Sequence, residues 1–578
     1  MKKNVYASAL LLFVLGCSNS DLSVGTDSMQ AEDSNVNVLT SAIVSDPSLD
    51  PYTVENMNRA MRKSILAKTS AIDSTEVESM ELKPNYLYVR FLVSGKDELA
   101  ELKSRDTTVV YFKHPLDYKP IRKPAVYVDP TLPDSVKPYF ATVPADFDFC
   151  STKYDIIKEL FLVEPLNEDD DEERDSISAA RSVLKKISSG NSVAEKLSDL
   201  GVSLQEIEWT SLQMTGNAGN REPSLSQKSA LAKKNTYAWS LLGTGKRYKG
   251  HLEFEDEYLP AQMHPLVGVR VTGGYAYYWQ ETHTDGNGDF KIPQKWNYSI
   301  DYEANFDADD FLLENGHSPY GEDLEIENNN RKSDWNEKFT GDKAKWCIVW
   351  TAAYQYWYGN NFGLKRPRQN TAWNWSLDIE VYYKNKKDYE SIFSTGSLIG
   401  CNAEGTYGQT ATAGVFDNIC ILAYKRKSYE IYGTTIHEIA HMSHFWNMKT
   451  TSTASPQSLE FEGLSKTYRD TYARGIQNYF IMDRYKDAKC KVDYDEQYTG
   501  LIEDLMDDGG KSKCKEVSGL DIKDEVSGFP ITSIETAFFQ NKKFSTMKDY
   551  LKKKNPSEKN GVKYTSTDID NLFKCWGL

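Results

Sequence analysis

The chain has 578 residues, too many for one typical domain of about 100 to 200 residues. With 40% hydrophobic and 26% charged residues it has the composition of an ordinary soluble protein, and beyond the N-terminus no run of about 18 apolar residues marks a membrane-crossing helix. A formal net charge of -16 argues against a partner held through a phosphate backbone, nucleic acid above all.

The first residues, MKKNVYASALLLFVLGCSNS, begin with Lys2 and Lys3, run apolar from Val5 to Leu15 and end in Gly16 and Cys17. This resembles a bacterial lipoprotein signal peptide with FVLGC as its lipobox, although Leu15 stands where a small residue is more usual. The resemblance implies that residues 1–16 are removed and that Cys17 is acylated, holding the chain to an outer-envelope membrane on its periplasmic or surface side. Loss of Lys2 and Lys3, with no acid, takes the formal charge from -16 to -18.

Residues 17–80 read as a flexible tether, rich in Ser, Asp, Asn and Thr up to about Asp73, with one helix-compatible stretch, VENMNRAMRKSILAK. Over 81–166 a small α/β domain is expected, with NYLYVRFLV as a strand, KDELAELKSR as a helix and TTVVYFKHPLDY as a second strand. Residues 167–240 read as an acidic and helical linker: NEDDDEERD lacks the glycine and oxygen spacing of a calcium loop, and ISAARSVLKKISS and VAEKLSDLG are short amphipathic helices.

Between 241 and 310 short strands alternate, and DGNG carries the residues of a tight hairpin. PLVGVRVT followed by TDGNGDFKIP resembles the transthyretin-like, carboxypeptidase-regulatory-like β-sandwich, which implies a spacer or docking module. Asp285, Asn287 and Asp289 suit the turn itself better than a calcium ion. From 320 to 578 helical patterns dominate, beginning with the aromatic CIVWTAAYQYWYG. The expected fold is therefore multidomain α+β: a small α/β domain, a β-sandwich module and a mainly helical C-terminal domain. Seven cysteines follow Cys17 with no CxxC pair, and Cys490 with Cys514 is the expected disulfide.

The stretch TTIHEIAHMSHFWN holds His437, His441 and His444, three of only eight histidines. HEIAH is an HExxH sequence, which places His437 and His441 one helical turn apart on one face, where both ring nitrogens can meet one zinc ion. Glu438 is placed to take a proton from water that zinc activates and to pass it to a leaving amine. Chance would produce such spacing about 0.02 times in a chain of this composition. A competing reading makes Thr435 and Glu438 a capping box that only starts a helix. His444, seven residues beyond His437, sits about 10 Å along the axis and is expected to cap or pack rather than to bind the same ion.

The motif resembles the HExxH zinc metallopeptidases, the zincins, with ligands His437 and His441 and base Glu438. His444 and Asn447 stand where the metzincin group keeps Gly and His, so the resemblance is to the gluzincins, in which an acid on the next helix completes the site. Three acids qualify: Glu460; Glu462, in EGLSKTY with Ser465 three later; and Asp470, in DTYARG with Ala473 three later. PNYLYVRF and DTYARGIQNYF are similar to segments of outer-envelope lipoproteins with a zincin-like C-terminal domain, where an acid precedes SWARG-like residues. That order is Asp470, then Glu462, then Glu460, and each also suits an ordinary exposed helix acid. Tyr432, Tyr468 and Tyr472 are candidate oxyanion stabilisers. The expected activity is hydrolysis of a protein or peptide substrate with zinc as cofactor. The competing expectation is a surface lipoprotein that holds glycan or peptide on aromatic clusters such as NTAWNWSLD, over an inactive scaffold.

Overall fold

The computed structural model describes residues 38–39, 47–68, 74–116, 126–163 without 128 and 134–135, 192–218, 246–317 without 297–298, 322–367, 376–385, 387, 408–411, 418–449, 460–490 without 462, 499–507, 514, 526–554 and 564–578. Cys17 and the leader, Glu462, the acidic run NEDDDEERD and most of NTAWNWSLD lie outside the described residues. Among those described, helices and strands are mixed as an α+β protein, and no helix is long and apolar enough to cross a membrane.

Strand β1 (Val38–Leu39), helices α1 (Val54–Lys68) and α2 (Ser74–Ser79), strand β2 (Tyr86–Val93), helix α3 (Lys96–Arg105) and strands β3 (Val126–Tyr127), β4 (Lys137–Pro144) and β5 (Lys153–Leu160) come first. Helices α4 (Ser192–Asp199) and α5 (Leu204–Met214) follow. The stretch expected as tether is structured over 47–68 and 74–80. Helix α1 carries Met57, Ala60, Met61 and Ile65 at helical spacing, and all four are fully buried against Leu197 of α4 and Ile207 of α5. The helices of the expected linker thus close a small core with the helix of the expected tether.

Strand β2 lies between β4 and β5 in an antiparallel sheet, and α3 seats Leu102 against it. TTVVYFKHPLDY is not the second strand; it contributes only a bridge from Phe112 to Phe140, while the partners of β2 come from further along the chain. Asp50 joins this region to the next: its carboxylate accepts from Lys158 Nζ at 2.9 Å and from the Tyr277 hydroxyl at 2.8 Å, all three buried.

Strands β6 (Lys246–Glu255), β7 (Met263–Pro265), β8 (Arg270–Tyr275), β9 (Tyr278–His283), β10 (Asp289–Trp296), β11 (Ile300–Asn305), β12 (Phe311–Asn315), β13 (Glu322–Asp323), β14 (Glu325–Arg331) and β15 (Trp335–Phe339) build most of the remaining sheets. Two of these sheets, ordered β10-β6-β15 and β14-β11-β8-β9, share one core, in which Tyr302 of one meets Phe290 and Trp335 of the other with ring centroids 5.9 and 5.5 Å apart. The DGNG turn carries the chain from β9 in one sheet to β10 in the other and does not join paired strands. Asp285 Oδ1 accepts from the backbone N–H of Asn287 and Asp289 at 2.8 and 3.0 Å. Gly288 has φ +79°, and a Cβ there would stand 2.4 Å from the Leu252 carbonyl oxygen.

Helix α6 (Asp342–Trp357) precedes β16 (Leu377–Tyr382), β17 (Gly408–Ala411) and β18 (Asn418–Leu422), which with β12 and β13 form a five-stranded sheet ordered β13-β12-β16-β18-β17. Its three central strands are parallel and its two outer pairings antiparallel. In the aromatic stretch of α6, Trp350, Tyr356 and Trp357 are buried core residues, whereas Tyr358 just beyond it is exposed.

From β18 the chain turns into α7 (Ser428–Asn447), α8 (Lys466–Arg484), α9 (Leu501–Met506), α10 (Ile531–Gln540), α11 (Phe544–Lys553) and α12 (Ser566–Cys575). Cys514 is bonded to Cys575 and not to Cys490, which is free; Cys420 is disulfide-bonded as well. Helix α7 packs between α6 and α8, and the approach to α8 needs Gly433. A Cβ there would lie 2.4 Å from Ile481 Cδ1 and 3.0 Å from Gln477 Nε2. Leu at 433 gains helix propensity yet overpacks this seam, so Gly433→Leu is expected to lose about 1 to 3 kcal/mol in urea unfolding rather than to gain stability.

Candidate metal centre

Helix α7 starts at Ser428, well before the histidines. Glu257 caps that start from the sandwich side, its carboxylate accepting from the Ser428 N–H at 3.1 Å and from Ser428 Oγ at 2.8 Å. Thr435 lies inside the helix, where its hydroxyl donates to the Ile431 carbonyl at 2.9 Å. The capping-box reading of Thr435 and Glu438 therefore fails, and what brings His437 and His441 together is the helical repeat itself.

The two rings turn toward each other, with Nε2 of His441 3.1 Å from Nε2 of His437. His441 Nε2 is also 3.4 Å from Asp470 Oδ1 on α8. One ligand-type atom from each of the three residues lies within 4.8 Å of the other two. Zinc at its usual distance of roughly 2.05 Å from tetrahedral donors would hold two of them about 3.3 Å apart, which the two short separations match. Glu460 is elsewhere, its carboxylate 2.5 Å from Lys542 Nζ. Glu462 lies outside the described residues.

Further features suit the residues to a cation. Gln477, two turns beyond Asp470 on the same face of α8, places its side-chain oxygen 3.1 Å from His437 Nδ1. Nδ1 then carries the proton and donates, which leaves the Nε2 lone pair facing the group. Burial, followed by His441 and Arg474, pushes the His437 imidazole well below its ordinary value, so it stays neutral, the form a ligand needs. Asp470 is 7% exposed and its Oδ2 is buried without a hydrogen bond, a cost that a cation would relieve. Glu438 is buried beside His437 and is not one of the converging three.

The other sequence candidates are committed to packing. The His444 ring is stacked on Phe539 at 5.2 Å and edged by Phe461 and Tyr472, and burial, then His441 and Arg469, pushes it down to about 3 and so holds it neutral. The Tyr432 hydroxyl donates to Gln355, that of Tyr468 to the carbonyls of Phe538 and Asn541, and that of Tyr472 to Glu535. None of the three presents a hydroxyl to the histidine pair. Sequence reasoning missed Gln477, although its seven-residue spacing from Asp470 was a usable signal.

Glu535, on α10, holds Tyr472 of α8. It accepts from the Tyr472 hydroxyl at 3.0 Å and from the Lys365 N–H with both oxygens, at 3.0 and 3.1 Å. Burial lifts its carboxyl from 4.5 to about 7, more than these hydrogen bonds lower it. Comparison of the chain with protein-family models, with curated proteins and with solved structures found no match.

Two outcomes follow from this geometry. Gln477→Leu leaves His437 without its orienting acceptor, and zinc affinity measured by competition with a chromogenic chelator should fall roughly 10- to 100-fold. For Glu535 the sign is set by a raised value. Below pH 4.5 both states hold the proton and nothing is lost; as pH rises toward about 7 the unfolded chain ionises first and stability falls. Urea midpoints at pH 5 and pH 8 should show a loss of at most about 3 kcal/mol in the native protein from this group, and that increment should be missing in Glu535→Gln.

Proposed function

We propose that this protein is a zinc metallopeptidase of the gluzincin-like HExxH kind, which hydrolyses protein or peptide bonds outside the cytoplasm from a lipid anchor at Cys17. The observation that carries the reading is the convergence of His437, His441 and Asp470, with separations of 3.1 and 3.4 Å, from two helices held together at Gly433. The domain reading that accompanies it is a small N-terminal α/β domain, a transthyretin-like sandwich and a mainly helical zincin-like domain entered through the five-stranded sheet. The leader-like residues from Met1 to Cys17 support the envelope location.

His437, His441 and Asp470 would hold the metal. Bound zinc supplies Lewis-acid polarisation of a carbonyl and activation of water. His437 is kept neutral and aimed by Gln477, so no proton competes for its Nε2. Glu438, next in the chain and buried, is the group that accepts a proton and returns it to the departing amine. An Asp in place of the usual Glu has one methylene less to reach with, and the close α7 to α8 packing supplies that reach. A purely structural metal is less well supported, since such a site normally closes with four protein ligands and only three converge among the described residues.

The test measures metal and activity separately. Purified native chain should carry one zinc by elemental analysis and cleave a fluorogenic casein. Glu438→Ala should keep the zinc and lose at least about 100-fold in cleavage rate, while Asp470→Ala loses the zinc and Glu460→Ala keeps both. A metal-free native chain, or cleavage that survives Glu438→Ala, would sink the proposal.

A further inference from the structure

A second site stands apart from the histidines. The sheet β14-β11-β8-β9 turns one face into the sandwich core through Tyr302 and Ala304, so Glu303 and Asn305 of β11 point to the opposite face. In a one-sided sheet that face ordinarily meets water. Here α3 and residues 111–114 lie over it, and a cavity of about 680 Å³ remains between them. Its floor is polar and deeply buried: Glu303 is 2% exposed and Asn305 8%.

The floor strand carries an unpaired hydrogen-bond donor. Asn305 Nδ2 is buried without an acceptor, a cost of about 1 to 3 kcal/mol unless something supplies one. Beside it each lining cation already faces an acid. Arg270 donates to both oxygens of Asp307 at 2.8 and 2.7 Å and lies 3.5 Å from Glu281. Lys113 is 2.5 Å from Asp323 and Lys96 is 3.7 Å from Asp310. An anionic ligand would have to break one of these pairs, because each lining cation is already taken by an acid.

We propose that this cavity binds a neutral carbohydrate, a short oligosaccharide of hexose units. Hydroxyl groups donate and accept at once, so they can meet the Asn305 amide and the Glu303 carboxylate on the same strand without disturbing the ion pairs. The volume falls in the range of pockets that enclose small ligands. Phe112 and His114, with ring centroids 5.5 Å apart, are on the cavity wall, where an apolar sugar face can lie. A peptide is less well matched, because the floor is a sheet face whose backbone groups are spent on β8, β9 and β14. Strand addition needs an unpaired edge.

The experiment is titration calorimetry of the full chain with maltotriose, cellotriose, mannotriose and chitotriose, and with trialanine and trilysine as peptide probes. At least one trisaccharide should bind with Kd below about 1 mM. Asn305→Ala should weaken it at least tenfold, and Ala100→Trp, on the exposed side of α3 at the cavity wall, should abolish it. A metal chelator should leave binding unchanged, which separates this site from the histidine centre. Should Asn305→Ala fail to fold, the surface change Ala100→Trp decides alone. The proposal is overturned if no trisaccharide binds, if binding survives Ala100→Trp, if the chelator removes it, or if only a peptide probe binds.

Discussion

The seam between α7 and α8 is the contact on which the candidate centre depends. One helix brings the two histidines and the other brings Asp470 and Gln477, so neither has a site without its partner. Gly433 lets the axes come close enough for a short aspartate to reach His441. The same closeness takes His437 and Asp470 out of water, which keeps the imidazole neutral and leaves a carboxylate oxygen without a partner. Packing and electrostatics therefore pull in different directions here. The aromatic wall around His444, with Phe461, Tyr472 and Phe539, supplies apolar burial on one side of the seam. Glu535, one turn from Phe539 on α10, ties Tyr472 of that wall to the Lys365 backbone.

What could be read in advance followed from local periodicity. KDELAELKSR has capping charges and helical spacing within ten residues, and α3 spans Lys96–Arg105. The HEIAH pair needed only that its segment be helical, and α7 is helical from Ser428 to Asn447. Long-range pairing could not be read in this way. TTVVYFKH has the apolar residues of a strand, yet β2 takes its neighbours from Lys137–Pro144 and Lys153–Leu160, a choice made by the whole sheet. Helix α1 looked like an isolated stretch in polar surroundings because the residues that bury it, Leu197 and Ile207, lie more than a hundred positions away. Nearness in the chain likewise misled the cysteine pairing, since Cys514 reaches Cys575 across 61 residues.

Of the downstream acids among the described residues, it is Asp470 that stands beside His441. Glu460 instead serves an ion pair with Lys542. A carboxylate's role is set by which helix face it occupies once the helices are packed, and counting residues from His441 does not determine that. The face of α8 that carries Asp470, Arg474 and Gln477 is visible as a repeat only when all three are considered together.

The Cys514–Cys575 disulfide reaches further than the end of the chain. It closes a loop of 61 residues, a constraint on the unfolded chain of about 4 kcal/mol in the loop-entropy model. Its partner contact is the Trp576 indole donating to buried Asp504 of α9 at 2.7 Å. Helix α9 in turn sets Ile502 against Gly475 of α8, where a Cβ would come within 2.6 Å of the Ile502 Cβ. The covalent clasp thus backs the helix that bears Asp470. A chain that folds where thiols stay reduced would lose that backing first, so the ambient redox state would reach the histidine pair as a loosening of α8, with no chemistry at the histidines themselves.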